Sequence, residues 1–220
     1  MSNLLYDPIK TQAKVTDSVL VGFSGGKDSI VTLDLCFKYF KNVKPFFMYL
    51  VPNLGFQERM LKWYENRYNC EIIRLPHFEV SNALKYGVFR DFDDSVSIVG
   101  MNDVYSYLRQ ETGIYWIAAG ERCADSMVRN AMIKKSGTID IKRGRFYPVA
   151  NWNKQEILQY IKFKKLYLSP EQRDMGFSFR SLTGEELQVI YERYPDDYEK
   201  ILKMFPFAGA ARERYLTYGE

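Results

Sequence analysis

Cysteine and histidine are scarce in this chain: its 220 residues hold 3 cysteines and 1 histidine. Cys36, Cys70 and Cys123 are too few and too scattered to frame a disulfide-stapled fold, and no Cys-x-x-Cys pair occurs. With His77 the one imidazole, a structural zinc or an iron–sulfur cluster lacks ligands within a single chain. Long apolar runs are missing too. The longest, such as residues 46–51, are of strand length, and the polar start of the chain carries no apolar signal core. No membrane association is expected, and a reducing cytoplasm is the consistent setting. Internal repeats and low-complexity tracts are absent, and the net charge of +4 is modest.

What is present suits a globular chain with a real core: 46% hydrophobic and 26% charged residues. Aromatics are abundant, with 17 Tyr and 15 Phe; most belong in a core and its rim, and some suit a ligand cleft or an interface. Basic residues cluster locally at Lys134-Lys135, Lys142-Arg143-Gly144-Arg145 and Lys162-Phe163-Lys164-Lys165. Such clusters fit a polyanionic substrate or nucleic acid, or simply a solvated face.

The densest chemistry lies at Ser24-Gly25-Gly26-Lys27-Asp28-Ser29, between the apolar run 19–23 and the helical pattern that opens with Ile30-Val31-Thr32-Leu33. Two successive glycines let the backbone take positive φ and come close to a ligand with no Cβ in the way. Turn amides and the unpaired N–H groups opening the next helix form an anion cradle. Ser24 and Ser29 add hydroxyls, and Lys27 adds a compact positive charge. Ile30, Leu33, Phe37 and Phe40 fall on one face of the helix that follows. The spacing of the better known Gly-x-x-x-x-Gly-Lys-Ser/Thr phosphate loop is absent.

Strand-length apolar segments at 19–23, 46–51, 71–75 and 115–119 alternate with helical patterns at 56–67, 102–112 and 124–135. That alternation predicts an α/β fold, an open parallel sheet with helices on both faces. Met127, Val128, Ala131 and Met132 are the expected apolar face of the helix over 124–135. Asn153 with Glu156, and Thr183 with Glu186, read as capping boxes opening further helices. Residues 166–182 read as a connecting loop, and the chain beyond 183 as short helices broken at Pro195 and Pro206. The expected division is a nucleotide-binding α/β domain at 1–165 and a helical extension at 166–220 packed on it. Segments that follow parallel strands meet at the carboxyl edge of the sheet, where ligands bind.

The hexapeptide resembles the PP-loop of the ATP pyrophosphatase (adenine nucleotide alpha hydrolase-like) superfamily, and the chain looks most like its phosphoadenosine phosphosulfate (PAPS) reductase branch. Pro52-Asn53-Leu54-Gly55-Phe56 stands where that branch often has an Asp-Thr-Gly-like turn. Gly120-Glu121-Arg122-Cys123-Ala124-Asp125-Ser126 with Arg129 resembles its second signature, and Tyr147-Pro148-Val149-Ala150-Asn151-Trp152 its Pro-x-x-x-Trp segment. The resemblance spans roughly residues 18–165 and implies a Rossmann-like sheet that binds ATP or PAPS. The implied nucleotide contacts are Ser24, Gly25, Gly26, Lys27, Asp28, Ser29, Gly120, Arg122, Ser126 and Arg129. Lys27, Asp28 and Arg122 stand in the catalytic roles. Asp28 is either a Mg²⁺ ligand or a cap on the helix, and Arg129 either clamps an anion or pairs with Asp125.

The implied reaction is attack on the α-phosphorus of ATP, giving an adenylated acceptor and pyrophosphate; the acceptor itself is not named by the sequence. The reductase branch instead needs a C-terminal Glu-Cys-Gly thiol, and no cysteine follows Cys123. Arg173-Asp174-Met175-Gly176-Phe177-Ser178-Phe179 carries Phe where mobile-element relatives place Cys, and Cys123 reads as a small apolar filler. Two other readings therefore stand beside adenylation. One is a nucleotide-sensing module working with a DNA-binding partner, and the other is PAPS reduction with a thiol supplied in trans. The aromatic segment 191–218 is a candidate homo-oligomer interface.

Overall fold

The computed structural model describes residues 3–169, 172, 179 and 181–219. Six strands form one sheet: β1 (Ser18–Gly22), β2 (Asn42–Tyr49), β3 (Ile73–Pro76), β4 (Ile117–Ala118), β5 (Ile139–Asp140) and β6 (Arg145–Phe146). Their order is β3-β2-β1-β4-β6-β5. β1 runs parallel to β2 and to β4, with Ser18 opposite Asn42 and Leu20 opposite Ile117. β6 is parallel to β4, and β5 is antiparallel to its neighbour β6. Val19, Leu20 and Val21 are fully buried, as a central parallel strand covered on both faces demands. The α/β expectation holds, as a mostly parallel Rossmann-like sheet with helices. β5 and β6 have no counterpart among the expected strands: unlike the two-residue β4, which lies in the apolar run 115–119, they sit among charged residues.

The helices are α1 (Asp7–Gln12), α2 (Lys27–Tyr39), α3 (Gly55–Tyr68), α4 (Phe78–Tyr86), α5 (Met101–Thr112), α6 (Met127–Ser136), α7 (Lys154–Lys164), α8 (Gly184–Arg193), α9 (Pro195–Met204) and α10 (Gly209–Tyr218). α2 is buried beyond one stripe: Ile30, Val31, Leu33, Leu35 and Cys36 all have no exposure. α6 departs from its expected face, since Met127 is 90% and Val128 79% exposed and only Ile133 is buried. Ile133 and Met132 pack on Ala119, Tyr147 and Ala150, so the apolar side of α6 lies at its C-terminal half and its first turn projects into solvent.

The chain falls into two compact units. The first comprises Met1–Phe47, Trp63–Ile73 and Arg109–Leu168; the second comprises Met48–Lys62, Arg74–Leu108 and Ser169–Glu220. Residues 48–62 and 74–108 group with the C-terminal segment.

In the first unit, Asp34 of α2 is a buried carboxylate that accepts the hydroxyls of Tyr68 (2.5 Å) and Tyr160 (2.6 Å). Burial and these bonds push both phenols well above their ordinary pKa. Asn153 caps α7 in a complete capping box, accepting from the Glu156 amide (2.9 Å) while Glu156 accepts from its own amide (2.7 Å).

In the second unit, Val51, Leu54, Phe56, Leu187, Ile190 and Ile201 share one apolar cluster. Thr183 caps α8, accepting from the Glu186 amide at 3.4 Å. Asp197 caps α3 from 141 residues away, accepting from the amides of Gly55 (2.6 Å) and Phe56 (3.1 Å). No helix among the described residues is long and apolar enough to cross a membrane.

Candidate functional site

The loop after β1 is shaped by its glycines and serines. Gly25 takes φ +75°, a left-handed conformation that costs glycine little, and Gly26 stands at the N-cap of α2 with no side chain capping the helix. Ser29 donates its hydroxyl to the Gly26 carbonyl at 2.8 Å and accepts from the amide and hydroxyl of Ser24, both at 3.2 Å. Gly26 in turn donates its amide to Ser24 Oγ at 3.4 Å. The hydroxyls thus hold the turn in shape, with Ser29 buried and Ser24 exposed.

Side chains next to this loop form an alternating ladder of charge. Lys27 Nζ lies 2.6 Å from Asp28 Oδ2, Arg122 Nε lies 2.8 Å from Asp28 Oδ1, Arg122 Nη2 donates to Asp125 Oδ1 at 2.6 Å, and Arg129 Nη1 donates to Asp125 Oδ2 at 3.0 Å. The Arg122–Asp28 contact is an ion pair without hydrogen-bond alignment, both atoms being buried. Three cations face two carboxylates, which leaves one net positive charge beside the N-terminus of α2, the polarity an anion prefers.

Arg122 ties three of the sequence motifs together. It belongs to the 120–126 segment, meets Asp28 in the loop, and donates through Nη1 to the Trp152 carbonyl at 3.3 Å. At 5% exposure it is a buried strut whose fork is spent on protein groups. Arg129 is half-exposed and paired with Asp125, so the pairing expected as one of its two roles is present. Ser126 caps α6 by accepting from the Arg129 amide. Gly120 allows the close approach of two loops: a Cβ there would lie 3.0 Å from the Ser29 amide nitrogen and 3.2 Å from the Asp28 carbonyl carbon.

Asp28 is turned toward Lys27 and Arg122 rather than onto the helix end, so it does not cap α2. Its two cationic neighbours also fit poorly with a protein-held Mg²⁺, and among the described residues no group of three or more His, Cys, Asp and Glu is placed to hold a metal. A divalent ion arriving with a nucleotide would take its oxygens from the phosphates.

Two members of the site are not among the site residues expected from sequence: Asp125, the shared anion of both arginines, and the Trp152 carbonyl. Asp125 is signalled only by its spacing, three residues after Arg122 and four before Arg129; a backbone carbonyl leaves no signal. The Pro52–Phe56 turn belongs to the second unit, with Asn53 at φ +60°. Of the expected Cys-replacing stretch, residues 173–178 lie outside the described residues. Cys123 packs beside Ala119 and Ile133 as a filler. Burial pushes the Cys36 thiol far up, and burial together with Glu65 pushes Cys70 up to about 11, so neither is a ready thiolate. The basic run at 142–145 is partly neutralised, with Arg143 on Asp140 and Arg145 on Glu121.

The phosphoadenosine phosphosulfate reductase domain model matches residues 18–170, which hold every rung of this ladder. The chain belongs to that family. Among solved structures, the family fold is shared with PAPS reductase from Candida auris (TM-score 0.56, 14% identity, 80% of this chain and 86% of that one). It is shared too with the NH3-dependent NAD synthetase of Campylobacter jejuni (TM-score 0.52, 18% identity, 99% of this chain and 94% of that one). No curated protein matches this PAPS reductase-domain chain in sequence.

Proposed function

We propose that this chain binds ATP at the loop Ser24–Ser29 and transfers AMP to an acceptor with release of pyrophosphate. The observation that carries the reading is the charge ladder from Lys27 to Arg129, which sets one net positive charge beside an uncapped helix start. An acceptor oxygen attacks the α-phosphorus and forms an O–P bond. The bond from that phosphorus to the bridging oxygen breaks, and pyrophosphate departs with the electron pair. Lys27, with 31% side-chain exposure, is placed to meet the charge growing on the leaving group. Asp28 steadies the Lys27 ammonium, and the buried Arg122 steadies Asp28, so Arg122 acts as a positioning residue. The loop amides and the opening of α2 hold the phosphates. The half-exposed Arg129 is the arginine placed to reach a substrate oxygen.

An anion ligand is in keeping with the Candida auris PAPS reductase, whose structure is a phosphate complex. The test is product analysis: ATP with candidate acceptors should give AMP and pyrophosphate, and Lys27→Ala should abolish both. ADP with inorganic phosphate as products, or no ATP affinity in the wild type, would overturn the reading.

A further inference from the structure

A second site lies on the first unit, at the other end of α2 from the PP-loop and about 16 Å along the helix axis from Lys27. A hollow of about 320 Å³ is lined by Tyr6, Lys38, Tyr160, Phe163 and Lys164. Its walls are fixed by neighbours. Tyr160 is anchored through its hydroxyl to Asp34, and Trp152 sits edge-on to both Tyr6 (5.4 Å) and Tyr160 (5.5 Å) while donating Nε1–H to the Leu5 carbonyl at 3.0 Å. Phe163 is 78% exposed, an apolar ring left to solvent beside the opening.

The charge at the hollow has one sign. Among the described residues neither Lys38 nor Lys164 has a carboxylate within ion-pair distance, and no carboxylate lines the hollow. Lys38 Nζ stands 5.9 Å from the centre of the Tyr6 ring. Lysines in the last turns of α2 and α7 offset the helix dipoles, which accounts for two cations. It does not account for the aromatic walls between them, nor for an exposed phenylalanine placed between Lys162 and Lys164.

We propose that this hollow binds a nucleotide unit, with the base stacked against the rings of Tyr6 and Phe163 and the phosphate on Lys38 and Lys164. Rings supply a sequence-tolerant stacking platform and lysines track the phosphate, the combination used for single-stranded nucleic acid. The volume suits one base with its sugar. A free nucleotide and a residue of a strand present the same chemistry, and the experiment separates them.

The full-length protein is titrated with thymidine monophosphate and with a fluorescein-labelled dT12 strand, chosen to avoid the adenine the PP-loop is proposed to take. Binding of dT12 alone assigns the site to strands; binding of the mononucleotide with comparable affinity assigns it to free nucleotides. In either case the double variant K38E/K164E should weaken binding about tenfold or more. For the strand it should also make the plot of log affinity against log salt shallower by about 1.4, roughly 0.7 for each lysine–phosphate pairing removed. Phe163→Ala, at an exposed position that the fold tolerates, should weaken binding several-fold with the salt slope unchanged. The melting temperatures of the variants report whether folding is intact, and Phe163→Ala carries the test should the double variant unfold. No binding of either probe, or binding indifferent to both sets of substitutions, overturns the proposal.

Discussion

Lys27 and Arg122 are both cations next to Asp28, yet burial gives them different tasks. Lys27 keeps 31% of its side-chain surface, and an ion pair that open contributes about 1 kcal/mol or less. Arg122 keeps 6% and holds two carboxylates that are 18% and 13% exposed, so deleting it removes the buried cation they share and leaves each with only its more exposed partner, Lys27 or Arg129. Breaking such a buried pair costs about 3–5 kcal/mol. Lys27→Ala should therefore leave the urea midpoint nearly in place while abolishing the stabilisation by ATP. Arg122→Ala should lower the midpoint severely even without nucleotide. Equal midpoints for the two variants would show that Arg122 is no strut. The same comparison explains what the sequence leaves open: an arginine in a glycine-rich signature reads as an anion clamp, and only burial reveals that its fork is already taken.

His77 offers a residue-scale test of pH. It is the N-cap of α4, accepting from the Glu79 amide through Nδ1 at 3.3 Å, which requires that nitrogen to be unprotonated. Burial lowers its pKa from the ordinary 6.5, with the Glu79 carboxylate opposing the shift. A base whose pKa is lowered on folding binds more protons when unfolded. Its contribution is thus fully present above pH 6.5 and fades as the pH falls below that toward the lowered folded value. His77→Asn keeps a capping acceptor that does not titrate. The expected outcome is a melting temperature that falls less between pH 7 and pH 5.5 in the variant than in the wild type. Parallel pH profiles would rule the cap out as the titrating element.

At the scale of elements, α7 and α8 were legible because their start signals are local: Asn153 with Glu156, and Thr183 with Glu186, lie within one helical turn. The start of α3 was not, since its cap is Asp197, brought there by tertiary structure alone. The packed face of α6 differs from its sequence pattern for a related reason. Its periodic residues Met127 and Val128 point to solvent, and the side that packs is chosen by Ala119, Tyr147 and Ala150 on other segments. Close helix crossings leave an equally faint trace. Gly184 opens α8, where alanine would be the better helix former by about 1 kcal/mol. A Cβ at that position would lie 2.3 Å from Tyr215 Cβ and 2.5 Å from the Ala211 carbonyl oxygen in α10, atoms tied to backbone that cannot swing aside. Gly184→Ala should therefore destabilise, by about 1–3 kcal/mol from overpacking. A denaturation curve in which the alanine variant gains stability would mean that the crossing yields freely.

For the whole molecule, the covalent path decides how the chain should melt. Each unit is assembled from three separate stretches, so the chain passes from one to the other repeatedly. The passages fall inside regular elements: β2 and β3 each have residues in both units, and so do α3 and α5. A helix or strand cut at its middle loses the hydrogen bonds that propagate it, so neither unit can unfold and leave those elements intact. Calorimetry should accordingly show one transition with equal calorimetric and van't Hoff enthalpies. ATP bound only at the PP-loop of the first unit should move that transition as a whole. At a hundred times its dissociation constant a ligand adds about 2.7 kcal/mol, which for a chain of this size raises the midpoint by about 5–11 °C. Two resolved transitions, of which ATP moves one, would show that the interleaved path does not couple the two units.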